Sequence, residues 1–294
     1  MTDTPTLLTA WKTAQAKLKA VGIDSPSIDA RVLLEAATGA SRTDILTDPY
    51  RAVTPDQQAA LDAYVERRLK REPASRILGR KGFWKIMLNV SPDVLSPRPD
   101  TEAILDVALL HYPPHEAFSV LDLGTGSGAI LLAILAERAG ARGLGTDIST
   151  EALAVARDNA ASLGLDGRCD FLRTEWATGL ADHSFDLVVS NPPYIPSGDI
   201  PGLDPEVRDH DPHLALDGGP DGLTAYRDLA PQIARVMKPG GLFAVEIGWD
   251  QGPAVSALFR EAGFDDVKII KDLSDRDRVV TNGPDPRTNP IPKM

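Results

Sequence analysis

Apolar residues recur along this chain with two different periods, and the change from one to the other falls near residue 80. In the first stretch the period is helical. Leu7, Leu8, Trp11, Ala14, Leu18 and Val21 repeat at helix spacing until Gly22 ends the run. Ser27 is placed to cap a second helix carrying Ile28, Val32, Leu33 and Ala36, which Gly39 stops. Thr54-Pro55 opens a third, in which Leu61, Tyr64, Val65 and Leu69 share a face and proline takes the favoured first turn. These patterns predict a small helical bundle over residues 1–80. The segment from Gly82 to Val90, followed by the turn at Ser91-Pro92, predicts a linking β-hairpin over 81–96.

Beyond the hairpin, short apolar runs alternate with helical patterns. Strands are predicted at 119–123, 142–147, 168–172, 185–190, 241–247, 266–271 and 278–282. Helices are predicted at 101–111, 128–139, 150–163, 222–237 and 252–262. Such alternation implies an α/β domain over 97–283 with a mostly parallel, doubly wound sheet of seven strands. The stretch from Lys271 to Arg278 is too short and polar for a crossover, so the last two strands should be antiparallel. The tail 284–294 holds four prolines and is expected to be disordered.

Composition narrows the picture. A length of 294 residues favours two domains, and 43% hydrophobic residues suffice for an ordinary core. No apolar run approaches the ~18 residues of a membrane span. The polar N-terminus has no signal core, and Cys169 is the single cysteine, which together suit a reducing cytoplasm. Net charge of −11 argues against broad or direct specific nucleic-acid binding. Basic residues nevertheless crowd between Arg67 and Lys85, as a docking face or as a solvated helix face.

Two stretches carry candidate chemistry. In the first, an apolar strand ends in Asp122-Leu-Gly124-Thr125-Gly126-Ser127-Gly128, and a helix follows. Glycines there permit close approach of a ligand to main-chain NH groups. Asp122 is suited to lie near a cationic ligand rather than a pyrophosphate. Asp147, 19 residues past Gly128, is spaced to take two ribose hydroxyls. S-adenosylmethionine, which offers a ribose and a sulfonium but no phosphate, fits this pattern better than NAD. The competing reading makes the glycines turn punctuation and Asp147 a helix cap.

In the second stretch, Phe185 to Ser190 delivers Asn191-Pro192-Pro193-Tyr194 to a strand's C-terminal edge, where open α/β sheets bind ligands. The prolines hold the backbone extended. The Asn191 side-chain oxygen and the Pro192 carbonyl then form a rigid pair of acceptors beside an aromatic plate, Tyr194. A planar NH2 group would be held there by its two hydrogens. No metal is called for: His210 and His213 are separated by a helix-breaking Pro212. No Gly-x-Ser-x-Gly hydrolase pattern is present either.

With Pro73-Ala-Ser-Arg-Ile-Leu-Gly79, Phe83-Trp84, Pro97-Arg-Pro-Asp-Thr-Glu102, Glu206 to Gly219 and Glu246-Ile-Gly-Trp-Asp-Gln251, the chain resembles bacterial release-factor glutamine N5-methyltransferases, the PrmC/HemK family, over about 7–282. Ser96 departs from the aliphatic residue more usual there, a matter of packing. The resemblance implies a Rossmann-like class I methyltransferase fold with a reversed last strand. It also implies S-adenosyl-L-methionine as cofactor, peptide chain release factors as partners, and the glutamine of a Gly-Gly-Gln loop as substrate. By the same resemblance Gly124, Thr125, Gly126, Ser127 and Gly128 would hold the methionine part of the cofactor and Asp147 its ribose. Trp176 would lie beside the adenine. Asn191, Pro192, Pro193 and Tyr194 would bind the substrate amide, Asn191, Pro192 and Tyr194 as the catalytic set and Asn191 also touching the cofactor, with Arg98, Thr101 and Glu102 lining the pocket. Asp100-Thr101 could instead merely cap the next helix. Methylation of a ribosomal-protein glutamine, an adenine methyltransferase and a non-catalytic cofactor-binding protein are the alternatives.

Overall fold

The computed structural model describes residues 4–272 and 274–287. They fall into two compact units, one reaching to Gly79 and including Asp204–His210, the other formed by the rest. The first unit is helical: α1 (Leu7–Ala20), α2 (Pro26–Thr38), α3 (Arg42–Thr47), α4 (Pro55–Leu69) and α5 (Ala74–Leu78). Side chains close three of these N-termini. Thr6 with Thr9, Ser41 with Asp44, and Thr54 with Gln57 each satisfy otherwise orphaned NH groups in reciprocal capping boxes. Leu7, Leu18, Leu33, Leu34, Leu61 and Val65 form its core.

Three features of this unit differ from the sequence reading. The short helices α3 and α5 were not anticipated, since neither is long enough to display a period. Helix α2 begins at Pro26 with Ser25 as its cap, so Ser27 lies inside it and its carbonyl accepts from the Trp11 indole at 3.0 Å. That start turns Ala30, Leu33 and Leu34 inward and leaves Ile28 58% exposed. The basic stretch is also less of a display than its charge suggests. Arg68 is buried, donating to Asp29 at 2.7 Å and Glu206 at 3.1 Å, while Arg67 pairs with Glu72.

The second unit opens with an antiparallel hairpin, β1 (Arg80–Phe83) and β2 (Ile86–Asn89), and continues with α6 (Glu102–His111). Then follow β3 (Ser119–Leu123), α7 (Ala129–Glu137), β4 (Arg142–Asp147), α8 (Thr150–Ser162), β5 (Cys169–Arg173) and β6 (Phe185–Ser190). The short α9 (Pro205–Arg208) belongs to the first unit. Helix α10 (Thr224–Val236), β7 (Met237–Glu246), α11 (Gly252–Glu261), β8 (Lys268–Lys271) and β9 (Asp277–Thr281) complete the second unit. The seven strands lie in the order β5-β4-β3-β6-β7-β9-β8, parallel except for β9, which runs antiparallel to both neighbours. The expected strands and their reversed hairpin are thus present. β7 starts four residues early, because Met237 already pairs with Phe185 before the register shifts.

Alternation along the strands explains the two-layered core. Val120, Leu187, Val189 and Leu242 point to the face covered by α6 and α7, whereas Leu121, Val188, Phe243 and Val245 meet α10 and α11. Helix α7 is buried from Ala129 to Leu135, which accounts for its unbroken apolar sequence. No helix among the described residues is long and apolar enough to cross a membrane. Of the tail expected to be disordered, 288–294 lies outside the described residues.

Candidate active site

A cavity of about 410 Å³ opens at the C-terminal ends of the central strands, within the size range of small-molecule sites. Its floor is the turn after β3. Gly124 and Thr125 both donate their NH to the Thr146 carbonyl at 2.9 Å, drawing the turn against β4. Gly126 (φ 55°) donates its NH to Asp147 Oδ2 at 2.9 Å, and Ser149 NH meets Oδ1 at 2.9 Å. At Gly128 (φ 81°) the left-handed backbone and a Cβ only 2.9 Å from the Leu132 side chain would strain any other residue at the step into α7. Asn159, buried on α8, holds the turn from behind: its Nδ2 donates to the Ser127 carbonyl at 2.9 Å and to Asn89 O at 3.0 Å. Sequence reading missed Asn159, although an asparagine on the inner face of a helix is a signal that a backbone needs a partner.

Gly124, Thr125, Gly126, Ser127, Asp147 and Trp176 all line the cavity. Gly128 does not; its place is the bend beneath. Asp122 is likewise underneath rather than beside the space, fully buried and accepting from the Thr125 hydroxyl at 2.7 Å. Burial pushes its carboxyl up to about 7, opposed by the Thr125 bond and assisted by the nearby Asp147 charge.

The opposite wall is the turn after β6. Asn191, Pro192 and Pro193 line the cavity, and Asn191 Nδ2 donates to Thr101 Oγ1 at 3.2 Å. Glu246 lies at the end of β7. Glu246 is 1% exposed, and burial pushes its carboxyl up to about 7 despite Arg278 and Arg98 nearby. Tyr194 corrects an expectation: it is absent from the lining, its ring packs on the core, and its hydroxyl donates to Glu246 Oε1 at 3.4 Å. Glu102 also stays out of the cavity, its Oε1 accepting the Trp84 NH at 2.9 Å, whereas Arg98 and Thr101 do line it. Thr101 makes no side-chain cap for α6; its hydroxyl accepts from Asn191 instead.

Gln251 was a second miss. Its Nε2 donates to the Tyr194 carbonyl at 2.9 Å and to Gly222 O at 3.1 Å, while Oε1 accepts from Gly248 NH at 2.9 Å and the Tyr226 hydroxyl at 3.3 Å. Every hydrogen-bonding position of that buried amide is used to lock the turn. Ile195 NH also donates to Leu216 O at 3.0 Å, tying in the segment that ends at Gly219.

Comparison with known proteins places this architecture. The PrmC N-terminal domain family matches residues 9–79, and a methyltransferase domain family matches 114–276. A release factor glutamine methyltransferase of Caulobacter vibrioides is 62% identical over 98% of this chain and 99% of that protein. The chain belongs to the release factor glutamine methyltransferase family. Its relatives also include proteins of that name from Rhodospirillum rubrum, 48% identical over 92% of this chain and 81% of theirs, and from Moorella thermoacetica, 40% identical over 93% and 96%. Among solved structures, the hMettl16 catalytic domain superposes with a TM-score of 0.53 over 66% of this chain and 74% of that one, at 15% identity. That likeness reports the class I methyltransferase fold alone.

The lining chemistry tests which cofactor suits the family's cavity. Among the described lining residues Asp93, Asp147, Glu175, Asp217 and Asp228 are acidic, and Arg98 is the one basic group. A pyrophosphate would meet repulsion here, whereas a ligand bearing an ammonium and a sulfonium would be attracted. The residues therefore fit S-adenosylmethionine and disfavour a dinucleotide.

Proposed function

We propose that this enzyme transfers a methyl group from S-adenosyl-L-methionine to the side-chain amide nitrogen of the Gly-Gly-Gln glutamine in peptide chain release factors. What supports this reading is that Asn191 and Pro192 line an acid-rich cavity together with Gly124 to Ser127 and Asp147, in a chain whose relatives bear that activity in their names. Gly124 to Ser127 would hold the methionine part through backbone groups, Asp147 the ribose, and Trp176 the adenine plane. Both Asp147 oxygens already take a backbone NH, so the carboxylate is held in place before a ligand arrives.

Once bound, S-adenosylmethionine supplies an electrophilic methyl carbon on a positively charged sulfur. The chain's own task is to present a weak nucleophile, since an amide nitrogen's lone pair is delocalised into its carbonyl. Asn191 Oδ1 and the Pro192 carbonyl would each accept one hydrogen of the substrate NH2. Those two bonds fix the plane of the group, aim its lone pair and stabilise the positive charge that grows on nitrogen. The extra proton is strongly acidic and leaves toward Asn191 Oδ1 and then solvent. Dedicated acid–base machinery is unnecessary. The helical first unit holds none of the candidate catalytic groups, which supports a role in docking the body of the release factor.

Intact-mass analysis of unmethylated release factor incubated with the enzyme and S-adenosylmethionine tests the reading. A gain of one methyl group, mapped to the Gly-Gly-Gln glutamine, is expected. An unchanged mass, or methylation elsewhere, would overturn it.

A further inference from the structure

Trp176 holds a backbone conformation that tryptophan rarely adopts. Its φ is 50°, in the left-handed region that a side chain disfavours, and such a residue persists only where its surroundings over-determine it. The segment that carries it, between β5 and β6, contains no helix or strand. It is a string of turns: Thr178 NH donates to Glu175 O at 3.0 Å, Leu180 NH to Ala177 O at 3.1 Å, and the Thr174 hydroxyl to Thr178 O at 2.9 Å. Turns of this kind do not by themselves select a left-handed tryptophan.

Two side chains of α10 supply what the turns lack, by gripping the next residue, Ala177, on both sides. Gln232 Oε1 accepts the Ala177 NH at 3.0 Å. Arg235 spreads its fork over two carbonyls, Nη2 donating to Ala177 O at 2.8 Å and Nη1 to Leu180 O at 2.6 Å. Each is itself held: Gln232 Nε2 donates to Asp228 O at 3.2 Å, and Arg235 Nη1 meets Asp182 Oδ1 at 2.8 Å. Ala177 is fully buried, so these peptide groups need such partners. On the other side, Thr174 NH donates to Asp147 O at 3.1 Å. Trp176 thus stands between two anchored neighbours, its indole over the glycine turn, where a Cβ on Gly124 would come within 3.4 Å of it.

We propose that Gln232 and Arg235 are positioning residues for the cofactor, clamping Ala177 so that Trp176 forms a ready-made wall for the adenine before S-adenosylmethionine arrives. The proposal rests on the reading of Trp176 as the neighbour of the adenine. Trp176 lines the cavity and neither clamp residue does, so both act through the tryptophan. Released from α10, the loop would relax toward commoner backbone conformations, and binding would then have to order it again, at the expense of affinity.

Calorimetric titration of the full chain with S-adenosylmethionine tests this, with melting temperatures on the same preparations to confine the comparison to folded protein. Trp176→Ala should weaken affinity about tenfold or more, the scale of one aromatic stack on a base. Gln232→Leu should weaken it about fivefold, the scale of one net hydrogen bond. Gln232→Glu keeps an acceptor for the Ala177 NH and should restore most of that loss. Arg235→Lys keeps the charge but cannot span two carbonyls, and should bind more weakly than wild type. In a Trp176→Ala background, Gln232→Leu should add less than about twofold, because nothing remains to be positioned. Wild-type affinity in a folded Gln232→Leu protein, a glutamate variant as weak as the leucine one, or full additivity in the double variant would each overturn the proposal. Unchanged affinity in Trp176→Ala would instead overturn the reading of Trp176 on which the proposal rests.

Discussion

The turns that follow β3 and β6 end neighbouring parallel strands, yet they are stabilised in opposite ways. The glycine turn is held by partners no more than 32 residues away in sequence: Thr125 on Asp122, Gly126 on Asp147, backbone bonds to Thr146, and Asn159 on the Ser127 carbonyl. The asparagine turn is held by distant ones, Thr101, Glu246 and Gln251, contributed by separate parts of the second unit. A surface that grips a ligand through its backbone can be built locally. A side chain that must present one particular atom needs partners from elsewhere to hold it. The contrast suits the two proposed tasks, holding a cofactor on one side and orienting a reacting amide on the other.

If that division is right, the largest effect belongs to the orienting side. Asn191→Ala should lower single-turnover methylation about 10²–10³-fold, as for the loss of one positioned polar group. Cofactor affinity should change far less. Asn191→Asp, which keeps acceptor oxygens, should fall between alanine and wild type. Near-normal turnover in a stable Asn191→Ala enzyme would erase the distinction between the turns.

The gripping side should show the reverse pattern. Asp147→Ala is expected to weaken S-adenosylmethionine binding by about 1.5–3 kcal/mol, the scale for hydrogen bonds to a charged group. Calorimetry reads this directly, and unchanged affinity would remove Asp147 from the site.

Gly222→Ala probes the remote clamp. At φ 72° a Cβ there would be strained and would sit 2.6 Å from Gln251 Nε2. The expected cost is about 1–3 kcal/mol of stability. Turnover in the molecules that remain folded should suffer more than cofactor affinity. Paired melting and calorimetric measurements separate the two effects, and equal losses in both would argue against a clamp specific to the asparagine turn.

The smallest effect on turnover is expected from the buried acid under the glycine turn, which does not line the cavity. With its carboxyl at about 7 in the folded chain against 3.8 unfolded, Asp122 binds its proton more tightly when folded. Its stabilising contribution is therefore full below 3.8 and is lost as pH rises toward about 7. Asp122→Asn should remove that slope. Its melting temperature relative to wild type should climb as pH is raised from about 4 to about 7. A constant difference across that range would mean that Asp122 is already charged inside the fold.

The sequence by itself determined the elements and their order. Apolar periods of two and of three to four residues located the strands and the long helices to within a few positions, because each pattern reports which side of an element meets the core. The polar link from Lys271 to Arg278 implied the reversed hairpin, since no crossover helix fits in it. Local chemistry was equally legible. Gly124 to Ser127, Asp147 and Asn191 to Pro193 announced themselves by spacing and do line one cavity. What the tertiary structure decided is which way individual side chains turn once several elements compete for them. Tyr194 read as a substrate plate and became an anchor on Glu246; Glu102 read as lining and became an acceptor for Trp84; Ile28 read as core and faces out. For Asn159, Gln251 and Glu246 the sequence marked at most a motif or a polar residue on an inner face, and not the role, because the deciding partners lie far along the chain. Periodicity records burial along one element, whereas a buried polar group is satisfied by whatever backbone or side chain the fold brings to it.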